Sequence, residues 1–199
     1  MHTQKPLSPD LGKTSVGSLH YPYASSWRCF FMKTKDLVFM AMYLALFMVF
    51  DYVASIVPIL KMPNGGSLGL GVVPLLIASY HLGYQKGILV GVLSVVIQDI
   101  LGPLYYIDFF SLFLEYVVAF GIYGTACLFP NFKFGNLTVF SGILITNVIR
   151  FLCHWFAGVY YWGLNISGSF IYNFGYMAAT TALCLVVVPL VVRNMKLKT

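Results

Sequence analysis

Long apolar runs alternate with short polar islands along nearly the whole of this chain, at residues 37–60, 68–80, 87–101, 109–129, 137–162 and 169–192. A water-exposed surface cannot be assembled from such runs, so the bilayer is the solvent. Charge usage agrees: 9% of the 199 residues are charged and 59% hydrophobic, where a soluble domain carries about 25% charged residues. Backbone groups in hydrocarbon must be satisfied within their own segment, which makes each run a helix. The expectation is an all-α integral membrane protein with six transmembrane helices.

The second and third runs are short for a hydrocarbon core of about 30 Å, which takes about 20 helical residues. The second is also flanked by glycines and contains Pro74. Short spans interrupted by Gly or Pro tend to lie beside a binding cavity.

Orientation follows from lysine and arginine. Lys5, Lys13, Arg28, Lys33 and Lys35 precede the first run, Lys86 and Lys133 fall in alternate loops, and Arg193, Lys196 and Lys198 close the chain; only Lys61 lies in the opposite set. Ten against one is a positive-inside bias that places both termini in the cytoplasm. The net charge of +6 therefore reports topology and gives no reason to expect nucleic acid. Residues 1–32 lack an apolar core before a small-residue cleavage site and read as a disordered cytoplasmic extension, with 33–199 as the membrane-embedded domain. Cys29, Cys127, Cys153 and Cys184 show no CxxC spacing and read as small hydrophobes.

Inside the spans stand Asp51, Gln98, Asp99, Glu115, Asn147, Arg150, His154 and Asn173. Ionisable groups there are costly and face a cavity or a partner. Each alone has a plain structural reading, since a carboxylate can pair with Arg150 and a single histidine is more often a packing residue. Their depths argue for a common role. At a helical rise of about 1.5 Å per residue, Glu115 and Tyr116 lie roughly 9 Å below the outer end of the fourth span. His154 lies roughly 12 Å and Arg150 roughly 18 Å below the outer end of the fifth. Asn173, Gln98 and Asp99 are also shallow. On the fifth span Arg150, His154, Gly158 and Trp162 recur every four residues, a stripe along one side. With Glu115 and Tyr116 it describes a pocket for a cationic ligand with an aromatic ring and hydrogen-bonding edges.

Four blocks resemble the thiamine-specific S components of energy-coupling-factor transporters: KMPNGGSLGLGVVPLLIAS at 61–79, LEYVVAFG at 114–121, RFLCHWFAGVYYWG at 150–163 and SFIYNFGYM at 169–177. They occur in the family's order and span most of the chain from Leu37 onward. The resemblance implies that Glu115 offers its carboxylate to the thiazolium, that Trp162 stacks on the pyrimidine, and that His154 and Asn173 bond the aminopyrimidine edge. Tyr116 and the Gly158 backbone complete the wall. Ser67, Gln98 and Arg150 stand beside these as candidates for a supporting role. It also implies that Ala41 and Ala45, at AxxxA spacing on the first helix, dock a transmembrane coupling subunit served by two ATPase subunits, because small residues let helices approach closely. Where the family often carries aromatic rings, this chain has Ser94 and Gly168. A related pyrimidine, a thiamine precursor or another vitamin therefore stands as an alternative ligand.

No GxxxxGK[ST] loop is present, so energy for uptake must come from partners in the plasma membrane. The rival readings are an intramembrane enzyme using Glu115, Asp99 or His154, and a structural protein whose polar groups merely pair. Against the enzyme, the sequence has no HExxH, His154 has no second histidine at metal-ligand spacing, and nothing suggests a metal or cofactor.

Overall fold

The computed structural model describes residues 32–61, 67–101, 104–134 and 137–195. The expected N-terminal extension, apart from Met32, lies outside the described residues, as does the 62–66 part of the first family-like block. Helix α1 (Thr34–Ile56) buries only Met40, Tyr43, Phe47 and Ala54, a single stripe at helical spacing. Much of the rest of its surface is apolar and exposed, including Leu37, Met42, Val49 and Tyr52. The helix ends because Pro58 follows: Val57 is held extended at ψ 113°, as a residue before proline must be.

Helix α2 (Val72–Leu82) has Val72 through Ser79 all buried. It is the hub of the bundle, packed on α1 and on the long C-terminal helix. Pro74 costs no hydrogen bond because it sits in the first turn, where no partner exists for its missing N–H. Gly83, at φ +84°, turns the chain straight into α3 (Tyr84–Leu101).

Helix α3 crosses α4 (Phe109–Leu128) backbone against backbone. A Cβ on Gly91 would stand 2.5 Å from the Phe120 carbonyl oxygen, and one on Gly124 would overlap the Ile88 nitrogen. Without a hydrophobic drive between helices in lipid, such close approach and van der Waals packing are what hold the bundle. Buried Ser79 ties the same crossing: its hydroxyl donates to Gly124 O at 2.7 Å and accepts from Cys127 N at 3.1 Å.

The run expected as one span over 137–162 divides. Strands β1 (Asn131–Phe134) and β2 (Leu137–Phe140) pair antiparallel, with Phe134 opposite Leu137, and helix α5 (Ser141–Tyr160) starts only afterwards. Aromatic and β-branched residues in both segments favour paired strands over helix. Helix α6 (Ile166–Asn194) completes the fold, with Asn165 accepting from Gly168 N at its start. Helices α1, α4, α5 and α6 are long and apolar enough to cross a membrane; α2 is shorter.

Candidate binding site

Helix α4 opens with Asp108, whose side chain accepts from Ser111 N at 2.7 Å. It then widens into a π-helical turn over Phe113–Val118, a local irregularity common where function needs a side chain re-aimed. Glu115 sits in that turn and is only 9% exposed. Its Oε2 accepts from Ser111 Oγ at 3.1 Å. The Trp162 indole N–H reaches both carboxylate oxygens at 3.3 and 3.4 Å, long for such bonds. Neighbouring Tyr116 closes the rim, its hydroxyl accepting from Tyr105 N at 3.1 Å and donating to Tyr105 O at 3.2 Å.

From α5 come Arg150, His154 and Gly158 on one face. Arg150 is buried and lies 4.3 Å from the Phe120 ring centroid and 5.6 Å from that of Tyr123. It bonds the Tyr123 hydroxyl at 3.4 Å and His154 Nε2 at 3.3 Å. For Nε2 to accept, the imidazole proton must be on Nδ1, the nitrogen that stands 3.8 Å from Glu115 Oε1. Arg150 therefore does not pair with Glu115, which removes the simplest structural account of both charges. Trp162 is not on the helix: α5 ends at Tyr160, and Gly163, at φ +66°, turns the chain so that Leu164 N returns to Gly158 O at 3.0 Å.

Helix α6 supplies Asn173 and Tyr176. The Tyr176 hydroxyl donates to Asn173 Oδ1 at 2.8 Å, and Asn173 Nδ2 donates to Ser169 O at 2.9 Å, so the amide orientation is set from both ends. Gly158 has a packing role as well as a place at the cavity, because a Cβ there would collide with Ser169 Oγ. That hydroxyl in turn donates to Trp155 O at 2.9 Å.

Two chambers result. A cavity of about 600 Å³ is lined by all six expected ligand-binding residues, Glu115, Tyr116, His154, Gly158, Trp162 and Asn173. Tyr105, Tyr172 and Tyr176 also line it and were not legible beforehand, since a tyrosine at helical spacing is indistinguishable from packing. Gly168 lines it too, and presents no ring where the family resemblance expects one. A smaller chamber of about 140 Å³ holds the three supporting residues, Ser67, Gln98 and Arg150, together with Asp51. Glu115, Tyr116, His154 and Tyr176 line both. Asp99 is exposed and lines neither, while Ser94 is buried and donates to Gly91 O at 2.7 Å.

A carboxylate between aromatic rings, with an oriented imidazole and amide nearby, suits an organic cation bearing hydrogen-bonding edges. Comparison with known proteins points the same way. The chain is 27% identical over 145 residues to the thiamine transporter ThiT of Bacillus subtilis (strain 168), covering 64% of this chain and 76% of that protein. The solved structure of ThiT from Listeria monocytogenes shares the fold, with a TM-score of 0.60 at 17% identity, covering 81% of this chain and 92% of the other. Residues 37–199 match the family described as thiamine transporter protein (Thia_YuaJ). The chain thus belongs to the thiamine transporter protein family and is a multi-pass protein of the bacterial plasma membrane.

Proposed function

We propose that this chain captures thiamine as the substrate-specific subunit of an energy-coupling-factor importer, with ATP hydrolysed by partner subunits. The observation that carries the reading is the convergence of Glu115, Tyr116, His154, Gly158, Trp162 and Asn173 on one cavity. Its volume falls within the range of about 300–1,000 Å³ usual for small-molecule sites. In this reading the thiazolium lies against Glu115 and the pyrimidine lies between Trp162 and Asn173, with His154 presenting its Nδ1 proton.

Six crossings with both termini in the cytoplasm agree with the lysine and arginine bias. They agree also with the 2.7 Å ion pair between Asp36 and Lys86, which sets the start of α1 beside the turn joining α2 to α3. Ala41 and Ala45 lie on the exposed face of α1, where a coupling subunit can approach, and membrane lipid covers the other apolar faces.

Calorimetric titration of the detergent-purified protein with thiamine tests the proposal. Tight one-to-one binding that Glu115→Gln abolishes is the expected result. Binding of a neutral pyrimidine in preference to thiamine would replace the ligand but keep the site; no heat with thiamine or with pyrimidine precursors would overturn the reading.

A further inference from the structure

We infer that Asp108, at the outer mouth of the site, is the encounter residue of capture: an exposed carboxylate that draws the organic cation out of solution and passes it to Glu115. This rests on the thiamine reading and on the orientation proposed above, and it concerns a residue that lines neither chamber.

The burial of Glu115 creates the need. That carboxylate is only 9% exposed and is engaged by the Trp162 indole, so a cation still in water meets little of its charge. Asp108 is exposed and forms no ion pair among the described residues. The lysine and arginine bias leaves only Lys61 in the outer loops. An unpaired charge at the rim of a cleft raises the local concentration of oppositely charged ligand, and with it the association rate.

Two elements connect the exposed carboxylate to the buried one. On α4, Ser111 N donates to Asp108 Oδ1 at 2.7 Å while Ser111 Oγ donates to Glu115 Oε2 at 3.1 Å, so one serine and two hydrogen bonds separate the two acids. Just past the end of α5, Tyr161 stands within electrostatic reach of both Asp108 and Glu115, its ring centroid 5.2 Å from that of Tyr160. Tyr105 is 69% exposed and lines the cavity. Exposed ring faces attract a delocalised cation weakly, which delays its escape without competing with the cavity. Helix capping does not account for the charge, because an N-cap needs an acceptor and Asn or Ser serves as well as Asp. The second oxygen, Oδ2, has no hydrogen bond among the described residues.

Asp108→Asn keeps the cap and removes only the charge. Thiamine association and dissociation are followed by stopped-flow Trp fluorescence on the full-length protein in a non-ionic detergent, at low and at high salt. At an ionic strength of about 0.01 M, where the Debye length is about 30 Å, the variant should associate about threefold more slowly, the weight of one charge met at about 6 Å in water. Its dissociation rate should equal that of the unaltered protein. At about 1 M, where the Debye length is about 3 Å, the difference should vanish. Asp108→Lys reverses the charge and should slow low-salt association by about tenfold, since the effect is linear in charge on a logarithmic scale. An unchanged association rate in Asp108→Asn, or a loss that persists at high salt or appears only in dissociation, would overturn the encounter role and leave thiamine capture standing. Failure of the unaltered protein to bind thiamine at all would sink both.

Discussion

The Trp162 indole N–H points at the Glu115 carboxylate from 3.3 and 3.4 Å, so the group that would attract a cation is already engaged by the ring that would stack on it. Replacing Glu115 by Gln removes the charge and leaves the hydrogen-bonding shape. An opposite charge about 4 Å away is worth about 4 kcal/mol at an effective dielectric near 20. Thiamine affinity should fall by at least two orders of magnitude, while a neutral aminopyrimidine should bind as before. Isothermal titration of the variant with both ligands checks this; equal weakening of the two would mean that Glu115 acts through packing.

Ser111 is fully buried and donates to Glu115 Oε2 at 3.1 Å. Ser111→Ala removes one of the bonds that aim the carboxylate but neither the charge nor much volume. A buried hydrogen bond is worth about 1 kcal/mol, so a fivefold loss of thiamine affinity, to within a factor of about two or three, is expected. Titration calorimetry beside a melting curve separates loss of aim from loss of fold, since only the first lowers affinity in protein that melts normally.

At Gly158 the constraint is steric. Because an added Cβ meets Ser169 Oγ, Gly158→Ala should force α5 and α6 apart and lower the melting temperature in detergent. Ser169→Ala removes the atom struck, so the double variant should melt closer to the original protein than the sum of the single changes. Strict additivity would show that the glycine serves the ligand alone.

Gly124 and Gly175 make a paired control. Gly124→Ala drives a methyl into the Ile88 and Gly87 backbone, whereas nothing among the described residues lies within 4 Å of a Cβ at Gly175. The first should abolish recoverable folded protein. The second should be neutral or stabilising by up to about 1 kcal/mol, the helix-propensity difference between glycine and alanine. Fluorescence-monitored size exclusion of the two variants distinguishes them directly.

If α1 is the docking helix, Ala41→Trp should prevent co-purification with the coupling subunit. Ala41 is exposed and away from both chambers, so thiamine binding should persist. Loss of both together would point to a folding defect.

Hydrophobic patterning by itself determined the membrane environment, the helical class and the order of the apolar segments, because hydrocarbon permits few backbone solutions. It also brought forward Glu115, His154, Arg150 and Asn173, since polar groups inside apolar runs are conspicuous. Tertiary structure decided what they touch. Arg150 bonds Tyr123 and His154 and leaves Glu115 to Ser111, Trp162 and the Nδ1 side of His154, a pairing that depends on how α4 and α5 are rotated and on the π-helical turn. Trp162 looked like the fourth member of a helical stripe, yet the helix stops before it and Gly163 turns the chain. The β1–β2 hairpin was hidden because aromatic and β-branched residues are equally apolar in strand and helix. Tyr105, Tyr172 and Tyr176 could not be told from packing residues, since a ring lines a cavity or a core according to what the neighbouring helix leaves open. Local chemistry is written in the order of residues; which groups meet is settled only when helices pack.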